Sequence, residues 1–247
     1  MNEPSTHFGQ SNSVRLSDED ATIDVLERSV LGLWNVVNDL TRLRRTTSRN
    51  YRVTIFGSAR LQPGSPTYES VKQLAAQLAE MGCDIVSGGG PGLMQAANEG
   101  ASSVSPEGGH RPARSMGINI ELPFEQSVNP YVDAAFAHST FFSRLHHFVL
   151  LSDAFVVVPG GIGSLLEMSL AWQLLQVGQL HNTPLIVCGK MWEDLIAWSR
   201  GAMSQPGNEL ASEEDFDIPQ SVETIEQAIA IIRENREKWL ASQPAGK

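Results

Sequence analysis

Val156-Val157-Val158-Pro159-Gly160-Gly161-Ile162-Gly163-Ser164-Leu165-Leu166-Glu167 runs from β-branched residues through three glycines in four positions into a helical pattern. The apolar run Ala154–Val158 reads as a strand buried on both faces, and Ser164–Val177 as the helix that follows it. A strand that breaks into glycines and reopens as a helix presents bare N–H groups at a positive helix end. That arrangement binds anions. The Pro-Gly-Gly-x-Gly spacing is not the dinucleotide Gly-x-Gly-x-x-Gly, and no Gly-Lys-Ser/Thr follows as in a Walker A loop. The stretch therefore predicts a phosphate-bearing ligand held by another scheme.

Working outward, strand and helix patterns alternate from Arg52 onward. Strands are predicted over Val53–Phe56, Cys83–Ser87, Ser115–Leu122, Ala134–His138 and Leu185–Cys188. Helices are predicted over Pro66–Met81, Leu93–Val104, Phe141–Leu150, Met191–Met203 and Val222–Leu240. Alternation of this kind predicts an α/β fold, a Rossmann-like doubly wound parallel sheet with helices on both faces. Ahead of it, Ser17 followed by Asp18, Glu19 and Asp20 predicts a helix start. Ile23, Leu26, Val30, Leu33, Trp34, Val37 and Leu40 form the apolar stripe of an N-terminal amphipathic helix. Residues 1–16 are polar and predicted to be disordered. The remainder, 17–247, is expected to be one domain with a helix over 17–46, a core over 52–202 and a C-terminal extension over 203–247.

The chain has 247 residues and a formal net charge of −10, with 14 arginines and only four lysines (Lys72, Lys190, Lys238, Lys247). This balance argues against nucleic-acid and anionic-membrane partners, while local groups can still hold a small anion. Cys83 and Cys188 sit in apolar runs, and two such residues point to a reducing compartment. No apolar signal segment opens the sequence and no uncharged run reaches the ~18 residues of a membrane span, so a cytoplasmic location is expected. His146 and His147, adjacent on one predicted helix, share no metal-ligand spacing with other residues and are read as packing or surface residues, so no metal is expected.

In a doubly wound sheet ligands bind beyond the carboxyl ends of the strands. Gly57-Ser58, Gly88-Gly89-Gly90-Pro91-Gly92 and Pro159–Ser164 all fall there. Four glycines in five positions exceed what a turn needs and point to close approach of backbone and ligand. Arg144 and Glu167 lie 23 residues apart in sequence, each in the first turn of a predicted helix. A helix running down and a strand running back bring both to that edge. Ser164 and Glu167 also carry the spacing of a capping box. Ser102–Arg114 is a turn-rich loop read as a solvated surface segment, or as a lid contacting ligand through His110, Arg111 and Arg114.

Phe56-Gly57-Ser58-Ala59-Arg60, Gly88 through Met94, Asn119 through Pro123, Phe141-Phe142-Ser143-Arg144 and Pro159 through Glu167, in that order, resemble the LOG (Lonely Guy) family of cytokinin riboside 5′-monophosphate phosphoribohydrolases. The resemblance spans roughly Arg52 to Ala202, and the flanking segments are similar to those of the longer bacterial members. It implies hydrolysis of the N-glycosidic bond of AMP or N6-substituted AMP to free base and ribose 5-phosphate. It further implies a homodimer or larger homo-oligomer, a small nucleotide as partner and no cofactor. Many members carry the label lysine decarboxylase, which requires a Schiff-base lysine; none of the four lysines is expected at the glycine-loop edge. Leu145, Leu166 and Gln95 stand where the family often has lysine, an acid and glutamate, and Ser164 where it has threonine.

On this resemblance Glu167 and Arg144 are the catalytic pair. Glu167 stabilises an oxocarbenium-like sugar or activates water, with its carboxylate kept ionised by the helix end. Arg144 binds and positions. Gly160, Gly161, Ile162, Gly163 and Ser164 hold the phosphate, Gly88, Gly89, Gly90, Gly92 and Met94 pass close to the sugar and phosphate, and Ser58 lies at the rim. The alternative is a non-catalytic nucleotide or molybdenum-cofactor carrier of the same fold.

Overall fold

The computed structural model describes residues 18–42, 50–104, 113–121 and 127–243. The chain divides into two compact units, Met1–Thr47 and Ser48–Lys247. The first carries helix α1 (Glu19–Arg42). Asp18, one residue later than the expected Ser17, caps it: the Ala21 N–H donates to Asp18 Oδ1 at 3.2 Å. Ser17 and residues 1–16 lie outside the described residues. Ile23 and Leu26 of the apolar stripe are exposed.

The second unit is built on strands β1 (Arg52–Phe56), β2 (Asp84–Ser87), β3 (Ser115–Ile120), β4 (Ala134–His138), β5 (Ala154–Val157), β6 (Leu185–Cys188) and β7 (Pro219–Val222). Their order is β4-β3-β2-β1-β5-β6-β7, and every neighbouring pair is parallel. The chain lays down β1 to β4 in one direction, then returns to the free side of β1 with β5. This reversal makes the gap between β1 and β5 the switch point at which such sheets bind ligands.

Period-two alternation sends successive strand residues to opposite faces. Val53, Ile55, Ile85, Ala154 and Val156 pack under α2 (Pro66–Glu80), α3 (Leu93–Ser102) and α7 (Ile225–Ser242). Phe56, Val86, Ile118, Phe155, Val157 and Val187 pack under α4 (Phe141–Leu151), α5 (Ile162–Gln176) and α6 (Lys190–Met203). The fold is thus the expected doubly wound α/β sheet covered on both faces.

Three local expectations need correction. Val222 ends strand β7 and does not begin a helix; Thr224 and Gln227 form a reciprocal capping box that starts α7 at Ile225. Pro219-Gln220-Ser221-Val222 lacks the apolar run that marks the inner strands, because as an edge strand it pairs on one side only. Helix α5 begins at Ile162, with Gly161 in the cap position, two residues ahead of Ser164. The Ser102–Arg114 loop joins the end of α3 to the start of β3. Arg114 there pairs with β2 through the Ile85 N–H donating to its carbonyl at 2.9 Å and its own N–H donating to Asp84 Oδ1 at 3.0 Å. That is the amino edge of the sheet, opposite the glycine loops, so Arg114 is no lid residue; His110 and Arg111 lie outside the described residues. The C-terminal stretch is tied into the sheet, because the Tyr51 hydroxyl lies 3.0 Å from the Asp153 carbonyl and 2.6 Å from Asn235 Oδ1 of α7.

Candidate functional site

Three loops meet at the carboxyl edge around Ser58. Its N–H donates to the Pro159 carbonyl at 3.1 Å, its carbonyl accepts the Leu93 N–H at 2.8 Å, and its hydroxyl accepts the Arg60 N–H at 3.1 Å. Gly92 (φ +70°) comes so close that a Cβ there would lie 2.4 Å from the Ser58 carbonyl oxygen. Ser58, through its backbone N–H and carbonyl, and Gly92 therefore knit the loops together, while the Ser58 hydroxyl accepts a bond within its own loop.

The α5 loop behaves differently. Gly160 leaves room for the buried Ser164 side chain, since a Cβ on it would meet Ser164 Oγ at 2.2 Å. Gly161 and Gly163 face open space. No side chain caps α5, whereas Ser65, Thr140 and Thr224 cap α2, α4 and α7. The first N–H groups of an α-helix have no partner inside it, so this end is suited to receive an anion.

Arg144 enters from the first turn of α4, whose N-cap Thr140 accepts the Ser143 N–H. Its Nε donates to the Ile118 carbonyl at 2.9 Å, and its Nη1 donates to Glu167 Oε1 at 2.9 Å. The guanidinium lies 5.0 Å from the Phe148 ring centroid. Gly88 forms the opposite wall, where a Cβ would lie 2.6 Å from Arg144 Nη2 and 2.4 Å from Met94 Sδ. Arg144, Glu167, Gly88 and Met94 are thus brought together as expected. Only 11% of the Arg144 side chain and 9% of the Glu167 side chain remain exposed.

This geometry overturns the expected electrostatics of Glu167. With α5 starting at Ile162, Glu167 is its sixth residue, past the first turn where the helix end acts. Its carboxylate makes no capping bond to Ser164 and turns to Arg144 instead. Burial pushes the carboxyl up to about 7, against the opposing pull of the Arg144 charge and hydrogen bond. A carboxyl poised there can exchange a proton near neutrality, whereas the sequence reading has the helix end favour the ionised form.

Gly89 and Gly90 turn inward. The Gly89 N–H donates to Ser87 Oγ at 2.9 Å, and both their carbonyls accept from Asn129 Nδ2, at 3.1 and 3.0 Å. The Gly89 N–H is therefore no phosphate donor. Sequence reasoning missed Asn98 and Asn129, which fix this turn, because isolated asparagines carry no spacing signal. Asn119, near the end of β3, belongs to a stretch that carries the family resemblance but is given no role there; its buried Oδ1 has no hydrogen-bond partner among the described residues.

The helix opening also carries a histidine pair. His138 Nε2 lies 2.8 Å from His147 Nδ1, and His138 Nδ1 lies 3.0 Å from Ser143 Oγ. Burial, reinforced by the nearby His138, His146 and Arg52, pushes His147 down to about 4; burial and Arg144 lower His138. One ring donates and the other accepts, and the lowered pKa of each favours its neutral form. Both histidines pack, as read from sequence for His147. Among the described residues no group of three or more His, Cys, Asp or Glu could hold a metal ion.

The model of the family described as "possible lysine decarboxylase" matches residues 94–232. The cytokinin riboside 5′-monophosphate phosphoribohydrolase of Mycobacterium tuberculosis is 29% identical over 146 residues, covering 56% of this chain and 74% of that protein. Among solved structures, the molybdenum cofactor binding protein of Rippkaea orientalis aligns with a TM-score of 0.56 at 20% identity, over 76% of this chain and 98% of that one. The molybdenum cofactor carrier protein of Chlamydomonas reinhardtii aligns with a TM-score of 0.55 at 16% identity, over 76% of this chain and 99% of that one. These two structures share the fold. With the family match reaching from the Gly88–Met94 loop past β7, the chain belongs to the family described as "possible lysine decarboxylase", the LOG family.

Proposed function

We propose that this chain hydrolyses the N-glycosidic bond of AMP or an N6-substituted AMP, releasing the base and ribose 5-phosphate. The observation that carries this reading is the buried Arg144–Glu167 pair standing beside an uncapped helix end at the switch point. The N–H groups of Ile162, Gly163 and Ser164 hold the 5′-phosphate, and the ribose lies between them and the Gly88–Met94 wall. As the C1′–N bond lengthens, positive charge builds on the sugar, and the ionised Glu167 stabilises it and takes a proton of the attacking water. The departing base keeps the bond's electron pair and takes up a proton from solvent, while Glu167 returns its own to solvent. The Arg144 guanidinium holds Glu167 in place and assists its ionisation.

Lysine decarboxylation finds no support in the lysine positions. Lys72 and Lys238 stand on α2 and α7, paired with Glu99 and Glu234. Lys190 does reach the carboxyl edge by opening α6, contrary to the sequence expectation, but its exposed ammonium pairs with Asp194 at 2.6 Å. The activity for which the M. tuberculosis relative is named supports the nucleotide reading.

A homodimer formed through α4 and α5 belongs to the same reading. Ile162, Leu166, Phe141 and Phe142 are exposed on these helices, and an exposed face of this kind favours assembly. Sedimentation of wild type against Leu166→Glu tests it. A cytoplasmic location fits two free cysteines; among the described residues no helix is long and apolar enough to cross a membrane.

The deciding experiment incubates purified protein with AMP, N6-isopentenyl-AMP, GMP and CMP and chromatographs the products. Release of adenine or its N6-substituted form supports the hydrolase. Protection of the protein by nucleotide without base release assigns the carrier reading instead.

A further inference from the structure

Behind the glycine turn lies a buried polar chain that touches no ligand position. Asn98, on α3 and fully buried, accepts from Ser87 Oγ at 2.6 Å and from Asn129 Nδ2 at 2.9 Å through its Oδ1. Its Nδ2 donates to Ser115 Oγ at 2.8 Å and to the Met116 carbonyl at 3.3 Å. Asn129 bonds the Gly89 carbonyl twice, through its backbone N–H at 2.8 Å and its Nδ2 at 3.1 Å, and reaches the Gly90 carbonyl with the same amide. The Tyr131 N–H donates to Asn129 Oδ1 at 3.2 Å, which fixes the orientation of that amide. Each asparagine needs a donor and an acceptor at once, which neither aspartate nor an apolar residue supplies.

The turn so held is pressed flat onto the sheet. Gly89 (φ +70°) backs onto Gly117, where added Cβ atoms would meet the facing Cα at 3.1 and 2.9 Å. The adjacent residue is Gly88, the wall against which the Arg144 guanidinium rests. Any relaxation of the turn moves that wall.

We propose that Asn129 and Asn98 are positioning residues for Arg144, acting through the Gly88–Gly90 turn. Loss of the Asn129 amide frees the Gly90 carbonyl and leaves the Gly89 carbonyl only the Asn129 backbone N–H, lets Gly88 shift and unseats the guanidinium from its bond to the Ile118 carbonyl. Ser115, at the far end of the same chain, touches neither glycine and reaches the turn only through Asn98. The inference rests on the hydrolase reading only for its kinetic part.

The test compares Asn129→Ala, Ser115→Ala and Gly88→Ala in the full chain. The first readout is the Arg144 Nε–H proton resonance, identified by its disappearance in Arg144→Lys. Gly88→Ala displaces the guanidinium directly and gives the reference shift. Asn129→Ala is expected to move the resonance in the same direction, and Ser115→Ala to leave it in place while lowering Tm comparably. In base release from AMP, Asn129→Ala is expected to lower kcat roughly 10- to 100-fold with KM changed by less than about threefold, as for a misplaced catalytic group. The resonance unmoved in folded Asn129→Ala, or moved equally in Ser115→Ala, overturns the proposal and leaves a purely structural network. Should Asn129→Ala fail to fold, Asn129→Ser, which keeps one donor, is measured by the same resonance and the same criteria apply. A wild type that releases no base refutes the hydrolase reading alone, because the resonance still decides this inference.

Discussion

Arg144 Nη1 and Glu167 Oε1 stand 2.9 Å apart across the start of two helices, although 23 residues separate them in sequence. Helix α4 runs away from the carboxyl edge, β5 returns to it, and α5 reopens there. The pair is a direct product of this one α–β–α crossover. Desolvation and ion pairing oppose each other in it, and burial prevails at the carboxyl.

Glu167→Gln keeps the volume and the hydrogen bond to Arg144 but removes the base. Base release is expected to fall by about 10²- to 10⁴-fold in kcat with little change in KM. In the wild type the rate rises with pH through about 7, because the carboxylate is the working form and its carboxyl titrates there. A chromatographic rate series from pH 5 to 9 checks both, and a wild-type profile flat across pH 7 would refute the role given to Glu167.

Arg144→Met removes the charge that holds the Glu167 carboxyl down. The acid limb of whatever activity remains moves to higher pH than in wild type. A carboxylate left buried without its partner also costs roughly 3–5 kcal/mol at pH values where it is ionised. Denaturant titrations at pH 5 and pH 9 separate the two, with the larger loss expected at pH 9.

Gly163→Ala tests the phosphate cradle. Gly163 lies inside α5 and a Cβ there meets nothing, so Tm is expected to hold or rise slightly. The methyl group enters the space assigned to phosphate, and KM for AMP is expected to rise by about tenfold, or about 1.4 kcal/mol. Binding of adenosine, which has no phosphate, should change much less. Equal weakening of both ligands would remove phosphate from this loop.

His147 and Glu167 impose opposite pH dependences on stability in nearly the same window. The folded state lowers His147 to about 4, so its contribution is present above the unfolded value of 6.5 and is lost as pH falls through about 4. The folded state raises Glu167 from 4.5 to about 7, so its contribution is present below 4.5 and is lost as pH rises through about 7. His147→Phe, which keeps a ring against Phe136, should therefore raise Tm at pH 4.5 relative to pH 7 when compared with wild type. An identical pH dependence in both proteins would show that the histidine pair does not titrate with folding.

The strand–glycine–helix stretch from Val156 to Glu167 was legible in sequence because backbone geometry there follows from local residue type. β-Branched residues extend and glycines turn. The crossover logic likewise brings Arg144 and Glu167 to the same sheet edge, beside the glycine loops. The protonation of Glu167 was illegible, since it depends on the two-residue advance of the α5 start and on burial by distant elements. Asn129 was illegible for a related reason: the bonds by which it holds the glycine turn reach residues about 30 and 40 positions away. Strand β7 was missed because its neighbour β6 supplies the pairing that its own polar sequence does not advertise.

The Tyr51 hydroxyl, shared between Asp153 ahead of β5 and Asn235 of α7, has a consequence for how the protein is made. Strand β1 is the first of the sheet to leave the ribosome, yet Asn235, the second partner of the tyrosine at its head, arrives only when α7 has been synthesised. Until then the sheet face beside Tyr51 lacks its α7 cover. A nascent or clipped chain that stops short of Trp239, whose ring packs edge-on against Tyr51, exposes that face to chaperones and proteases. Helix α7 is therefore the late cover of a face laid down early in synthesis.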